Sequence, residues 1–171
     1  MCHRNVNLGD ILLDENFRPK ISDFAFICEC DKKLSDILGT LLYCSPEIIR
    51  NTGFEAYDGI KADIFSLGFL LFLMVTGNKM ENEFINCKKE YNYDKFLKLL
   101  KIKIKNTSTE FQELIIKMTD FNPEKRPSIE DILDSQWMRE VLEDDLEQER
   151  DIYNEFKRRE ILMEKTKKNN I

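Results

Sequence analysis

HRNVNLGDILLDENFRPKISDF, His3 to Phe24, decides the fold. It reads as strand, turn, strand. A short apolar run, Ile11-Leu12-Leu13, leads into a turn at Asp14-Glu15-Asn16, and a second strand ends at Asp23-Phe24. Asp, Glu and Asn favour turns because their short polar side chains bond their own backbone. Carboxylates at Asp10 and Asp23 flank this hairpin, and amides at Asn5 and Asn7 precede it.

Outward from it, the chain has 171 residues, 42% hydrophobic and 34% charged, which suits one domain with a real core. A net charge of -6 argues against general nucleic-acid binding. The most apolar stretch, Ile64 to Val75, reads as too short for a membrane span and is broken by Ser66 and Gly68. The N-terminus runs straight into polar sequence, with no signal-peptide pattern. Five cysteines with no C-x-x-C spacing read as thiols in a reducing cytoplasm. Cys28-x-Cys30 is a metal or redox candidate, but nothing nearby completes a zinc site, and both read as ordinary loop thiols.

Further along stand three more signals. GTLLYCSPE, Gly39 to Glu47, closes a loop with no clean period. YDGIKADIFSLGFLLFLMVTG, Tyr57 to Gly77, predicts a helix apolar nearly all round and so packed on several sides. FNPEKRPS, Phe121 to Ser128, precedes a predicted helix ending at Trp137. Ser108 to Asp120 predicts an amphipathic helix with Ser108 as cap. Between Asn78 and Asn106 the lysines read as a solvated face, and KIKIK reads as a strand or a helix end.

Taken in order, these motifs resemble the large lobe of a eukaryotic protein kinase of the Ser/Thr type. Leu8 and DENFRPKISDF lean towards the calcium/calmodulin-dependent and AMP-activated-like groups. The resemblance covers residues 1–138 and implies a mainly α fold with a short β-hairpin carrying the catalytic and metal loops. The family's smaller lobe, with its Gly-rich phosphate loop, is expected to be absent: no G-x-G-x-x-G occurs. A large-lobe fragment and a gene product truncated at its start both fit that expectation.

In the family, H-R-D-x-K-x-x-N is followed by D-F-G. Here His3-Arg4 and Asp23-Phe24 keep the frame, while the catalytic aspartate is Asn5, the lysine is Asn7, the metal asparagine is Asp10 and the glycine is Ala25. An amide cannot take a substrate proton, and a positioned base contributes roughly 10²–10⁴-fold in rate. Asn7 removes a cation from a transfer whose catalysis is largely electrostatic. Asp10 and Asp23 keep oxygen ligands for Mg²⁺, and Leu12, Leu70 and Met74 would lie under the adenine of ATP. The resemblance also implies a substrate-facing Thr40, whose coupling to the two asparagines is expected to be weakened, and a phosphate-reading Arg4. Structural roles fall to His3 and Phe24 in a regulatory stack, to Asp63 as anchor for the His3-Arg4 loop, and to a Glu47–Arg126 ion pair.

Residues 139–171 are a charged tail. Positions 140–155 hold eight acids against one base, and 156–168 hold six bases against two acids, a polarity that suits a long helix dipole. Its partner is the lobe itself or another helix. The functional expectation is a catalytically impaired, pseudokinase-like lobe that binds a protein partner or another kinase lobe. The alternative is an ATP- and Mg²⁺-dependent Ser/Thr kinase whose small lobe comes from elsewhere.

Overall fold

A computed structural model describes residues 1–29, 34–77 and 81–143, together with 154, 155 and 158. The hairpin comes first. Strands β1 (Ile11–Leu13) and β2 (Pro19–Ile21) pair antiparallel with Leu12 opposite Lys20. Helices follow: α1 (Pro46–Ile49), α2 (Gly59–Thr76), α3 (Glu81–Lys89), α4 (Tyr93–Ile104), α5 (Thr109–Met118), α6 (Ile129–Leu133) and α7 (Gln136–Glu143). The fold is mainly α, as expected.

Helix α2 is the axis. Asp58 caps its start, accepting from Ile60 N at 2.8 Å and Lys61 N at 3.2 Å. Gly77 ends it in the left-handed region at φ 56°, with its N–H on Leu73 O. The side chains of Phe65, Phe69 and Phe72 are fully buried and meet Phe84 of α3 and Phe96 of α4. The Phe69–Phe84 and Phe84–Phe96 rings meet edge to face at 5.3 and 5.4 Å, a geometry that adds to simple area burial. Gly68 brings α5 close, since a Cβ there would lie 2.6 Å from the Cβ of Met118. By length and hydropathy alone α2 passes for a membrane span, contrary to the reading of Ile64 to Val75 as too short. Ten of its residues are buried within the fold.

Other expectations need adjusting. KIKIK belongs to the last turn and end of α4, because Phe96, Leu100 and Ile104 form a buried stripe at helical spacing. Ser108 caps α5 through Phe111 N at 3.2 Å, as predicted. The single helix expected from Pro127 to Trp137 is two. Ser128 and Asp131 build a capping box at the start of α6, the chain breaks after Asp134, and Trp137 sits in α7 against Phe111. Helix α7 passes position 138, and the long-helix reading of the tail otherwise lies outside the described residues.

Candidate functional site

The site starts from a carboxylate. Asp63, in the second turn of α2, accepts His3 N at 2.5 Å and Arg4 N at 2.8 Å, as the resemblance implied. Burial pushes its carboxyl above the ordinary range, against those two hydrogen bonds and the nearby His3 and Arg4. Arg4 is held at φ 67°, a left-handed conformation that costs a non-glycine residue about 1–3 kcal/mol. The anchor offsets it, together with the bond from Arg4 Nε to Phe26 O at 2.6 Å. The Arg4 guanidinium also meets Asp36 at 3.4 Å. His3 Nε2 donates to Ser22 O at 3.0 Å, which fixes its tautomer, and the ring meets Phe24 edge-on at 5.4 Å.

The exchanged positions form one network. Asn7 caps the 3-10 turn Leu8–Asp10, its Oδ1 accepting Gly9 N at 2.8 Å. Its Nδ2 donates to Asn5 O at 3.0 Å and to Asp10 Oδ2. Asn5 Nδ2 donates to the same carboxylate oxygen at 3.1 Å. On its other side Asn5 Oδ1 accepts both Thr40 N and Thr40 Oγ1 at 3.0 Å. Asp10 only accepts and Thr40 N only donates, so the amide orientation is forced. Of the two expected partners Thr40 keeps Asn5, through two hydrogen bonds. Asn7 instead turns inward, buried.

Asp10 and Asp23 are the two carboxylates that would hold Mg²⁺ together with nucleotide phosphates, and each is partly engaged. Magnesium needs free oxygen lone pairs, usually from one or two carboxylates plus phosphates. Asp10 Oδ2 already holds two amide hydrogens, while exposed Asp23 sits at φ 60° and accepts Ala25 N at 3.4 Å. Among the described residues no group of three His, Cys, Asp or Glu is placed to hold a metal. The left-handed residue is Asp23 rather than Ala25, so alanine stands there without strain. Leu12 and Met74, expected beneath an adenine, are more than half exposed, and Leu70 is buried.

Below Thr40 lies the structural pair. Arg126 Nη1 and Nη2 each meet a Glu47 carboxylate oxygen at 2.7 Å. Arg126 also donates to Asp120 O at 2.7 Å and Lys61 O at 2.8 Å, and its guanidinium lies 5.0 Å from the centre of the Phe65 ring. Ser45, at the cap of α1, is fully buried, and its Oγ has no hydrogen-bond partner. An orphaned buried hydroxyl costs about 1–3 kcal/mol. Ser45→Ala is therefore expected to raise the urea midpoint, by about 1 kcal/mol of stability at unchanged slope. A lower midpoint would mean the hydroxyl holds a buried water.

Six of the seven described lysines between Asn78 and Asn106 are exposed, as expected, and one departs from that reading. Lys88 is fully buried and reaches under the segment Leu41 to Cys44, donating to Leu42 O at 2.6 Å, Cys44 O at 2.9 Å and Leu41 O at 3.4 Å. The Phe69 and Phe65 rings lie 4.9 and 5.6 Å from its ammonium. The signal was spacing: Lys88 follows Phe84 by one helical turn, on the inward stripe with Cys87.

The hairpin, the anchored loop and the buried arginine pair together define a kinase-type large lobe. A protein kinase domain family model matches residues 1–138, and the chain belongs to the protein kinase family. It is 34% identical over 149 residues to CBL-interacting protein kinase 2 of Oryza sativa subsp. japonica, covering 82% of this chain and 32% of that protein. It is 35% identical over 148 residues to CBL-interacting serine/threonine-protein kinase 10 of Arabidopsis thaliana, covering 82% and 29%. The chain spans about a third of the length of these curated relatives.

Proposed function

We propose that this chain is a catalytically impaired kinase lobe, a pseudokinase-like module that works by binding. The observation that carries the reading is the state of Asn5. It stands where the family has its catalytic aspartate, and its amide is committed on both sides, to Thr40 and to Asp10. No group at that position can take a proton. Leu12, Leu13, Ile21 and Phe24, 47–56% exposed around the hairpin, supply apolar surface for a polypeptide partner. The kept frame supports a second reading, a Ser/Thr kinase that uses ATP and Mg²⁺ once joined to a small lobe.

The test is a thermal-shift measurement with ATP and Mg²⁺, paired with a phosphotransfer assay on the purified chain. A ligand at about 100 times its dissociation constant adds about 2.7 kcal/mol to a folded binder. The expected result is a cooperative melt that nucleotide does not move, and no transfer to protein hydroxyls. Transfer that Asn5→Ala abolishes would overturn the proposal.

A further inference from the structure

Cys2 and Cys28 stand opposite one another across a two-residue antiparallel bridge. Cys2 N donates to Cys28 O at 2.9 Å and Cys28 N returns the bond to Cys2 O at 3.1 Å. Such a reciprocally bonded pair holds its Cα atoms about 5.5 Å apart, at the most common spacing of disulfides. The two sulfurs are already 3.3 Å apart, and either thiol can donate to the other. Cys2 is 2% exposed, while Cys28 is partly open to solvent. The floor beneath Cys2 is tailored. A Cβ at Gly59 would come 2.6 Å from its sulfur, so the glycine at the start of α2 makes the notch in which that sulfur sits. The other described cysteines lie elsewhere: Cys44 Sγ donates to Leu38 O at 3.5 Å, and Cys87 is buried in the aromatic core.

We propose that Cys2 and Cys28 are a redox modification site, closing to a reversible disulfide under hydrogen peroxide. The bond would tie the segment after Asp23-Phe24 to the start of the His3-Arg4 loop. The proposal does not depend on whether the lobe is catalytic. Cys28, the accessible sulfur, attacks peroxide as its thiolate. The O–O bond breaks, hydroxide leaves and is protonated to water, and Cys28 becomes a sulfenic acid. The Cys2 sulfur then attacks the Cys28 sulfur. The S–O bond breaks, and hydroxide departs as water with the Cys2 proton. Two thiols and one peroxide give one disulfide and two waters, with two electrons passing from sulfur to oxygen. A small-molecule dithiol reverses this by two exchange steps. The sulfurs need only close to about 2.05 Å, with the backbone bridge already in place.

The experiment uses the whole reduced chain, treated with hydrogen peroxide near stoichiometry, alkylated, digested without reductant and sequenced by tandem mass spectrometry. The expected product joins the peptides of Cys2 and Cys28, two hydrogens lighter than their sum, and dithiothreitol separates them. Cys30→Ser keeps this product, whereas Cys2→Ser and Cys28→Ser lose it. The oxidised chain should also melt about 5–10 °C higher, because the bond closes a loop that the unfolded chain leaves open. A bond through Cys30, or a Cys28 sulfinic acid beside an alkylated Cys2, overturns the proposal, and both can be read on the wild-type protein.

Discussion

Arg126→Met is expected to destabilise the lobe by about 3–5 kcal/mol, the cost of breaking a buried pair from one side. The guanidinium is wholly buried, and its two parallel bonds to Glu47 at 2.7 Å match the geometry that makes Arg–carboxylate pairs strong. Methionine fills much of the volume but strands the Glu47 carboxylate and the carbonyls of Asp120 and Lys61 that Arg126 now satisfies. Domains of this size are stable by about 5–15 kcal/mol, so the variant should sit near its folding threshold. Urea denaturation reads the loss directly. A loss under about 1 kcal/mol would show that water relaxes into the pair and screens it.

The second large effect is a pH dependence set by Lys88. Burial is the main cause that pulls its ammonium down to about 7, with neighbouring Cys44 a weaker pull upward. An unfolded lysine keeps its proton to about 10.5. Between those two values the unfolded chain therefore binds one more proton than the folded one, and stability rises with pH. Below the folded value the desolvation cost of the charged form is present in full. The slope is about 1.4 kcal/mol per pH unit, so wild type should gain roughly 2–3 kcal/mol on Lys88→Met between pH 7 and pH 9. Burial also raises the Cys44 thiol, which favours its neutral form across that window. Parallel curves for the two proteins would mean that the three carbonyls and two ring faces hold the ammonium charged against burial.

The sequence carried the parts that local pattern controls. A continuous apolar run marked α2 and an amphipathic pattern marked α5, Ser108 was legible as a cap, and the order of motifs paired Glu47 with Arg126 and Asp63 with the loop at His3-Arg4. It failed where a side chain's partner is set by packing. Lys88 looks like any surface lysine until α3 turns its Phe84 stripe inward. Nothing in the sequence links Cys2 to Cys28, because only the return of the chain after Phe24 brings them across one bridge. The substitutions at Asn5 and Asn7 were visible, but their new bonds were not. An amide can turn either end to a neighbour, and the acceptor-only Asp10 decides which.

That last contact constrains the order in which substitutions can accumulate. Asn5 and Asp10 are joined nitrogen to oxygen at 3.1 Å. Asn5→Asp alone would face one carboxylate with another at that distance, and the two would have to share a proton or move apart. Asp10→Asn alone would offer the amides of Asn5 and Asn7 a weaker, neutral acceptor, with a surplus of N–H groups. Each step back towards the family's arrangement meets a penalty that the other step removes, so the two sites are epistatic. The double variant Asn5→Asp/Asp10→Asn is therefore expected to lose less stability than the sum of the two single changes, and urea denaturation of the three variants reads that coupling.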